Sequence, residues 1–309
     1  MKLPVSFAIL ALISAGFAAN VPENAAEEIG NFAPGNLRVM ALRGAPDENS
    51  DGGLTVWVES GKARADLPPS PLAIEGNAGG NSWSLPIPPD LAFAPDGQWL
   101  FATQKVCTGY RIGYLYKQKK GPNFELATKV RFDALAWRFF GKTEGVNIEA
   151  LIASDSPAHL IDFVAFSDRY LAVSLRGAVG NLPASKNVAS NPKNPAGATG
   201  IYDWQCIYDL QEGSFLLPET MRAYNNGAWR RWSDTGGTTW SQNIEGELNW
   251  VLRALLAKLD PDARKKLRDE QDAWLKRRDA ESQDMDYDPF AFTRRRAVEL
   301  QMRLLLVPG

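Results

Sequence analysis

Residues 244–282 read IEGELNWVLRALLAKLDPDARKKLRDEQDAWLKRRDAES, and the spacing of their apolar positions predicts two consecutive helices. The first helix carries an apolar face, with residues four, three, four and four positions apart, at Ile244, Leu248, Val251, Leu255 and Leu259. Asp260-Pro261 then joins a residue type that caps helix N-termini to one that is favoured at the first helical position. A second helix is therefore expected to begin there, antiparallel to the first and joined to it by a tight corner.

The same Asp-Pro pair recurs at Asp288-Pro289 and predicts a third helix. Its apolar face would be formed by Thr293, Ala297, Leu300 and Leu304. The last 66 residues hold 13 Lys and Arg against 13 Asp and Glu, which is typical of helices with a charged outer surface. We expect a helical hairpin or three-helix module over residues 240–306.

The chain before this module has the composition of a strand-rich region. Of 26 Gly and 20 Pro, 24 and 17 precede residue 244, and they separate short apolar runs. Two segments, AFAPDGQWLFATQ (residues 92–104) and AFSDRYLAVSLRG (residues 165–177), look like degenerate copies of one hairpin. The predicted fold class is α+β: an all-β domain over residues 36–238, propeller-like or sandwich-like, followed by the helical module.

The N-terminus has the features of a secretory signal. Lys2 precedes an apolar run over residues 5–13, and small residues follow it, so cleavage is expected after Ala18. Residues 19–35 would form a linker. The apolar run is shorter than the roughly 20 residues that a membrane span needs, and no later segment could span a bilayer. We therefore expect a periplasmic or secreted protein, without a lipid anchor because no Cys lies near the cleavage site.

If the chain is exported, its two cysteines could form a disulfide. Cys107 and Cys206 both lie in strand-like runs, and an oxidising compartment favours a disulfide between them. The alternative is a pair of buried free thiols that pack as small apolar groups.

Composition excludes several classes of function. The chain has one His, at position 159, so no site that needs two imidazoles can form, and no HExxH, GxSxG, P-loop or GxGxxG spacing occurs. The net charge of −2 argues against a nucleic-acid partner. No catalytic residue, metal site or cofactor is predicted. Asp47-x-Asn49-x-Asp51-Gly52 resembles half of a calcium loop, but Val58 stands where the bidentate Glu belongs, so an Asp-rich turn explains it better.

Two further hypotheses remain open from composition. Ten Trp, four of them at Trp229, Trp232, Trp240 and Trp250, fit a binder of carbohydrate or cell-wall fragments, although burial at a domain junction would explain the cluster too. A hydrolase that uses paired carboxylates needs no His, and 36 acidic residues leave room for such a pair.

The helical segment resembles the LprI-type lysozyme-inhibitor family. The resemblance covers about residues 240–306 and rests on Glu247, Leu248, Asn249, Leu255, Leu259, Leu267, Arg268, Gln271, Trp274, Leu275, Arg278 and Asp279, with TRRRAVELQMRLL as a similar closing helix. It implies a periplasmic helical module that binds and inhibits lysozyme. Family members commonly carry a Cys just after the RDAE segment, where Ser282 stands here, so cysteine pinning of the helices is lacking and inhibition could have been lost or moved to the β domain.

The resemblance and the loops together suggest where a protein partner would bind. The predicted partner is a lysozyme-type muramidase, and an immunity role against a secreted cell-wall toxin is one form of that function. The candidate contacts are Ser60 and Lys62 after a strand, Ser185 and Lys186 in the long loop of residues 182–200, and Asn249, Gln271, Arg278 and Asp279 in the helices. The four helical residues could form either a partner-facing patch or a polar network between helices.

Overall fold

The computed structural model describes residues 26–29, 35–43, 54–68, 82–83, 90–107, 110–149, 159–177, 200–226, 228–230, 239–282 and 288–307. Several sequence predictions fall outside these ranges: the signal of residues 1–18, most of the linker of residues 19–35, the calcium-like turn, and Ser185 and Lys186.

The strand-rich region forms two sheets. The first has the order β1-β2-β3-β4 with β5 also paired to β3, and its strands are β1 (Glu27–Glu28), β2 (Leu37–Arg43), β3 (Leu54–Ser60), β4 (Ala63–Asp66) and β5 (Ser82–Trp83). The second has the order β13-β12-β11-β10-β8-β7-β6. Its strands are β6 (Asp90–Phe93), β7 (Trp99–Cys107), β8 (Tyr110–Lys120), β9 (Asn123–Leu126), β10 (His159–Phe166), β11 (Tyr170–Gly177), β12 (Gly200–Asp209), β13 (Ser214–Leu216) and β14 (Trp229–Arg230), with β9 paired to β8 and β14 to β12.

The second sheet buries both of its faces, because alternate side chains along a strand point in opposite directions. On β7, Leu100 and Ala102 pack against Val56 and Val58 of the first sheet, whereas Phe101 packs on the other side. The two sheets therefore share one apolar core, and the arrangement is sandwich-like rather than propeller-like. The α+β class predicted from the sequence is confirmed.

The two hairpin-like segments occupy equivalent places in the second sheet. Residues 92–104 lie in the antiparallel pair β6–β7, and residues 165–177 in the antiparallel pair β10–β11. Each hairpin begins a run of four antiparallel strands that ends in a helix: α1 (Phe132–Glu144) after β9, and α2 (Glu219–Asn226) after β13. The two runs meet where β8 and β10 pair in parallel at Tyr110 and His159. The described part of the segment predicted to be all-β thus also contains the helices α1 and α2.

The three predicted helices form, with the caps that the sequence indicated. They are α3 (Thr239–Lys258), α4 (Pro261–Glu281) and α5 (Pro289–Leu306). The Asp260 side chain accepts a hydrogen bond from the Ala263 backbone N–H, and Asp288 accepts from the two that follow Pro289. The helices bury a common core with Tyr224 of α2, in which Leu248, Leu267 and Ala297 are members. No helix among the described residues is long and apolar enough to cross a membrane.

Helix α5 belongs to two cores at once. Ala297 and Leu300 face the other helices, whereas Val298 and Met302 pack against the second sheet, beside Val164 of β10 and Ile207 of β12. The helical module is therefore docked on the sheet rather than tethered to it by the chain alone.

The predicted disulfide between Cys107 and Cys206 is corrected by the structure. Cys206 is a free thiol, fully buried in the core under α1. It lies on β12 and Cys107 on β7, four strand positions apart in the sheet order. At about 4.8 Å per position the two backbones are roughly 19 Å apart, whereas a disulfide needs Cα atoms within about 7 Å.

Candidate functional site

A buried ion pair fixes the helical module to the sheet. Arg294 of α5 donates a hydrogen bond to Asp203 of β12, which also accepts one from the Tyr224 hydroxyl of α2. Asp203 has a φ of 60°, and it is the one non-glycine residue with positive φ in the part of the chain that the structure describes. A left-handed backbone at a non-glycine residue costs energy, and surrounding contacts must hold it in place. The pair lies on a bulge of β12, since the β11–β12 register shifts there.

Glu247 of α3 lies beside this pair and has no compensating bond. Its side chain is buried, and neither carboxyl oxygen has a hydrogen-bond partner among the described residues. Burial, together with repulsion from Asp203, raises the pKa of Glu247 from 4.5 to about 8 despite the attraction of Arg294. Glu247 is thus held as a neutral acid at neutral pH.

Asp203 and Glu247 interact electrostatically and are one pair of carboxyl groups that bears on the hydrolase hypothesis. Both are about 95% buried, between the sheet and the helices. An acid pair that acts on a saccharide must reach a cleft, so this location fits a structural junction. The neighbouring Asn225 side chain supports that role: its oxygen accepts from the Gln205 N–H and its nitrogen donates to the Gln205 carbonyl, both at 2.8 Å.

The lone histidine is buried as well. His159 lies against the Tyr110 ring, with centroids 4.2 Å apart, and is 1% exposed. Desolvation, reinforced by the charge of Arg131, lowers the pKa of His159 to about 4, so the ring is neutral at neutral pH. No group of three or more His, Cys, Asp or Glu in the described ranges could hold a metal ion.

The four helical residues predicted as partner contacts divide into two pairs. Gln271 is buried and accepts a hydrogen bond from Arg296 of α5, and Arg278 forms a 2.7 Å ion pair with Glu245 of α3. These two are part of a network between helices. Asn249 and Asp279 are exposed, so they remain open to a partner.

The strand-derived candidates lie elsewhere. Ser60 is the last residue of β3, and Lys62 is exposed in the tight turn to β4, which Gly61 permits with a φ of 61°. This turn belongs to the first sheet, whereas the helices dock on the second. Ser60 and Lys62 are therefore close to each other, but they lie on the first sheet, whereas Asn249 lies on α3.

The outer face of α3 joins Asn249, predicted as a partner contact, and Trp250, predicted as part of a tryptophan cluster, to residues that the sequence did not single out. Between Ile244 and Lys258 the exposed residues are Gly246, Asn249, Trp250, Arg253, Ala257 and Lys258. We call this set the α3 face. Trp250 is 38% exposed, although large apolar side chains are usually buried. The signal was present in the sequence, because Trp250 and Arg253 fall outside the apolar spacing of the helix.

The protein is thus a β-sandwich on which a module of three helices is docked. The exposed face of the first of these helices, α3, carries an aromatic residue and cations. Within that module, residues 239–303 match a family model described as lysozyme inhibitor LprI. The match begins at the first residue of α3 and ends in the last turn of α5. It spans 65 of the 309 residues, so it concerns the helical module and confirms the resemblance seen in the sequence. No curated protein and no solved structure matches the chain.

Proposed function

We propose that the protein is an exported inhibitor of a lysozyme-type peptidoglycan hydrolase, and that it acts as an immunity protein when the hydrolase is a secreted toxin. The match of residues 239–303 to the lysozyme inhibitor family is the observation that carries the proposal. The helical module, rather than the β-sandwich, would then contain the inhibitory surface.

The architecture suits this task in two respects. An inhibitor of a glycosidase must keep its shape while it blocks a cleft that contains two catalytic carboxyl groups. The helices are held by a shared apolar core and by ion pairs such as Arg278–Glu245 and Arg303–Glu270. A surface that is rigid before binding loses little conformational entropy when the complex forms.

The direct test is inhibition by the purified chain without residues 1–18. Lysis of a cell-wall suspension would be followed by turbidity, with lysozymes of several structural classes and increasing amounts of the protein. We expect saturable, stoichiometric slowing of lysis for at least one lysozyme. The matched control is Trp274→Asp, which places a charge in the helical core and should abolish inhibition by unfolding the module. No slowing in any class would reject the proposal.

Export has a separate test. When the full-length chain is produced with an intact secretion system, the mature protein should begin at Ala19, after cleavage behind Ala18. Mass spectrometry of the protein in the periplasmic or culture fraction would show this. Retention of residues 1–18 in the cytoplasm would contradict export.

Exposed Trp250 favours one alternative, a binder of carbohydrate or cell-wall fragments that does not inhibit. The side chains of Trp229 and Trp240, and all of Trp232, lie outside the described residues. Retention on insoluble peptidoglycan without any lysozyme, lost in Trp250→Ala, would support this alternative.

A further inference from the structure

The α3 face differs from the rest of the helical module in its charge. Its exposed residues include two cations, Arg253 and Lys258, and no acid. The two acids of this part of α3 are withdrawn from the face: Glu247 is buried, and Glu245 is bonded to Arg278. The face is therefore cationic on a chain whose net charge is −2.

The cations of the α3 face are also unneutralised. Most arginines elsewhere in the module have acidic partners, for example Arg278 with Glu245 and Arg303 with Glu270. Arg253 forms no ion pair within the described ranges, and its Nε donates to the Asn249 carbonyl oxygen at 3.1 Å. That bond lies along the helix and leaves the remaining guanidinium donors for a partner.

Trp250 and Gly246 give the α3 face its shape. They are four residues apart and therefore adjacent on the helix surface. A Cβ at Gly246 would meet nothing within 4 Å, so open space lies beside the Trp250 side chain. Trp and Arg are both among the residue types that are enriched at the energetic hot spots of protein interfaces.

Beyond Ala257 the face continues to the corner between α3 and α4. Arg264 of α4 donates to the Ala257 carbonyl oxygen at 3.4 Å and adds a third cation at the end of α3. The surface thus combines Trp250 and Arg253, one turn apart on α3, with Lys258 and Arg264 at the corner that follows.

We propose that the α3 face is the surface that binds the carboxylate-lined saccharide cleft of the target hydrolase, with Trp250 in the position of a sugar ring and Arg253 paired with a catalytic carboxylate. This inference rests on the proposed function and adds the site and the partner's chemistry. Charge complementarity supports it, because such a cleft contains paired carboxyl groups beside the bound sugar ring. It assigns binding to a surface other than the Ser60–Lys62 turn.

The test compares single variants of the full mature chain against the lysozyme that it inhibits best. Arg253→Glu and Trp250→Ala should each raise the inhibition constant about 10-fold or more, because hot-spot Arg and Trp residues have effects of at least this size. Arg253→Glu should also reduce the association rate and its dependence on salt concentration. Both side chains are at the surface, so circular dichroism and thermal unfolding should be nearly unchanged.

Two charge reversals of the same kind serve as controls. Arg268→Glu changes an exposed cation on α4, and Lys62→Glu changes the exposed cation of the β3–β4 turn. We expect less than about a 3-fold change for either, as is usual for charges outside a contact. If Lys62→Glu abolishes inhibition while Arg253→Glu has no effect, the inference is overturned in favour of the turn.

The remaining outcomes separate the two proposals. Inhibition by the unmodified protein that is insensitive to both Trp250→Ala and Arg253→Glu overturns the α3 face and leaves the proposed function standing. Absence of inhibition by the unmodified protein overturns both. Binding of the protein to phosphatidylglycerol vesicles or to peptidoglycan that is lost in Arg253→Glu, with inhibition unchanged, assigns the face to a different ligand and overturns the inference.

Discussion

Replacing Glu247 by Gln should remove a pH dependence of stability that arises at the junction of sheet and helices. In the folded protein burial and the charge of Asp203 raise the pKa of Glu247 to about 8, against 4.5 for an unperturbed Glu. The folded state therefore holds this proton more tightly than the unfolded state does. The contribution to stability is complete below about pH 4.5 and is lost progressively as the pH rises to about 8.

The magnitude follows from the difference between the two pKa values. At about 1.4 kcal/mol per pKa unit, that difference corresponds to a total loss on the order of 5 kcal/mol. Gln is close in shape to a protonated Glu and does not titrate. The variant should match the unmodified protein near pH 5 and exceed its stability at alkaline pH by an amount of this order.

Denaturant unfolding of both proteins at several pH values between about 5 and about 9 would measure this difference. Asp133, whose pKa burial raises to about 6, and His159 also titrate, but they contribute equally to both proteins and cancel. Glu245→Gln is the matched control, since it removes a half-exposed carboxylate two positions away and should keep the trend of the unmodified protein. A stability difference that stays constant over the whole range would refute a buried, neutral Glu247.

Three further predictions follow from local geometry. Gly141→Ala should destabilise the protein by about 1–3 kcal/mol in denaturant unfolding, because the new Cβ would lie 2.7 Å from a backbone oxygen. Gly246→Ala should instead stabilise it by up to about 1 kcal/mol, because the new Cβ would meet nothing within 4 Å and Ala favours a helix. Asp260→Ala should cost about 1 kcal/mol through loss of the α4 N-cap, with Asp262→Ala, which caps nothing, as its control. Cys206 should resist thiol reagents in the native protein and react after denaturation without reductant; protection that persists would reveal a disulfide.

The helices could be predicted because their signals are local. The Asp-Pro pairs at residues 260 and 288 cap helices through side-chain oxygens two or three residues away, and the spacing of Ile244, Leu248 and Val251 needs no tertiary knowledge. Helix α1 was missed although Phe132, Ala136 and Phe140 recur at helical spacing. The surrounding turn-rich strands hid this pattern, and the helix packs against the sheet core so extensively that only Arg138 and Lys142 are exposed.

The site could be predicted only in part, for a different reason. Family motif positions identify a helix face, but whether a polar residue points to a neighbour or to solvent depends on the packing of the three helices. Gln271 and Asn249 illustrate this, since one is buried against Arg296 and the other is exposed. The Asp203–Arg294 pair joins residues that are 91 positions apart in the sequence, and no local sequence pattern predicts such a contact.

The double packing of α5 has a consequence for biosynthesis. The strands that receive Val298 and Met302 are made long before α5 leaves the ribosome. Until then the sheet surface around Val164 and Ile207 is covered only in part, by Met221 of α2, and offers apolar side chains for self-association. Chains cut short before residue 289 should therefore be insoluble or depend on a chaperone. Nascent chains would complete their fold only at the end of synthesis, when α5 packs on the sheet.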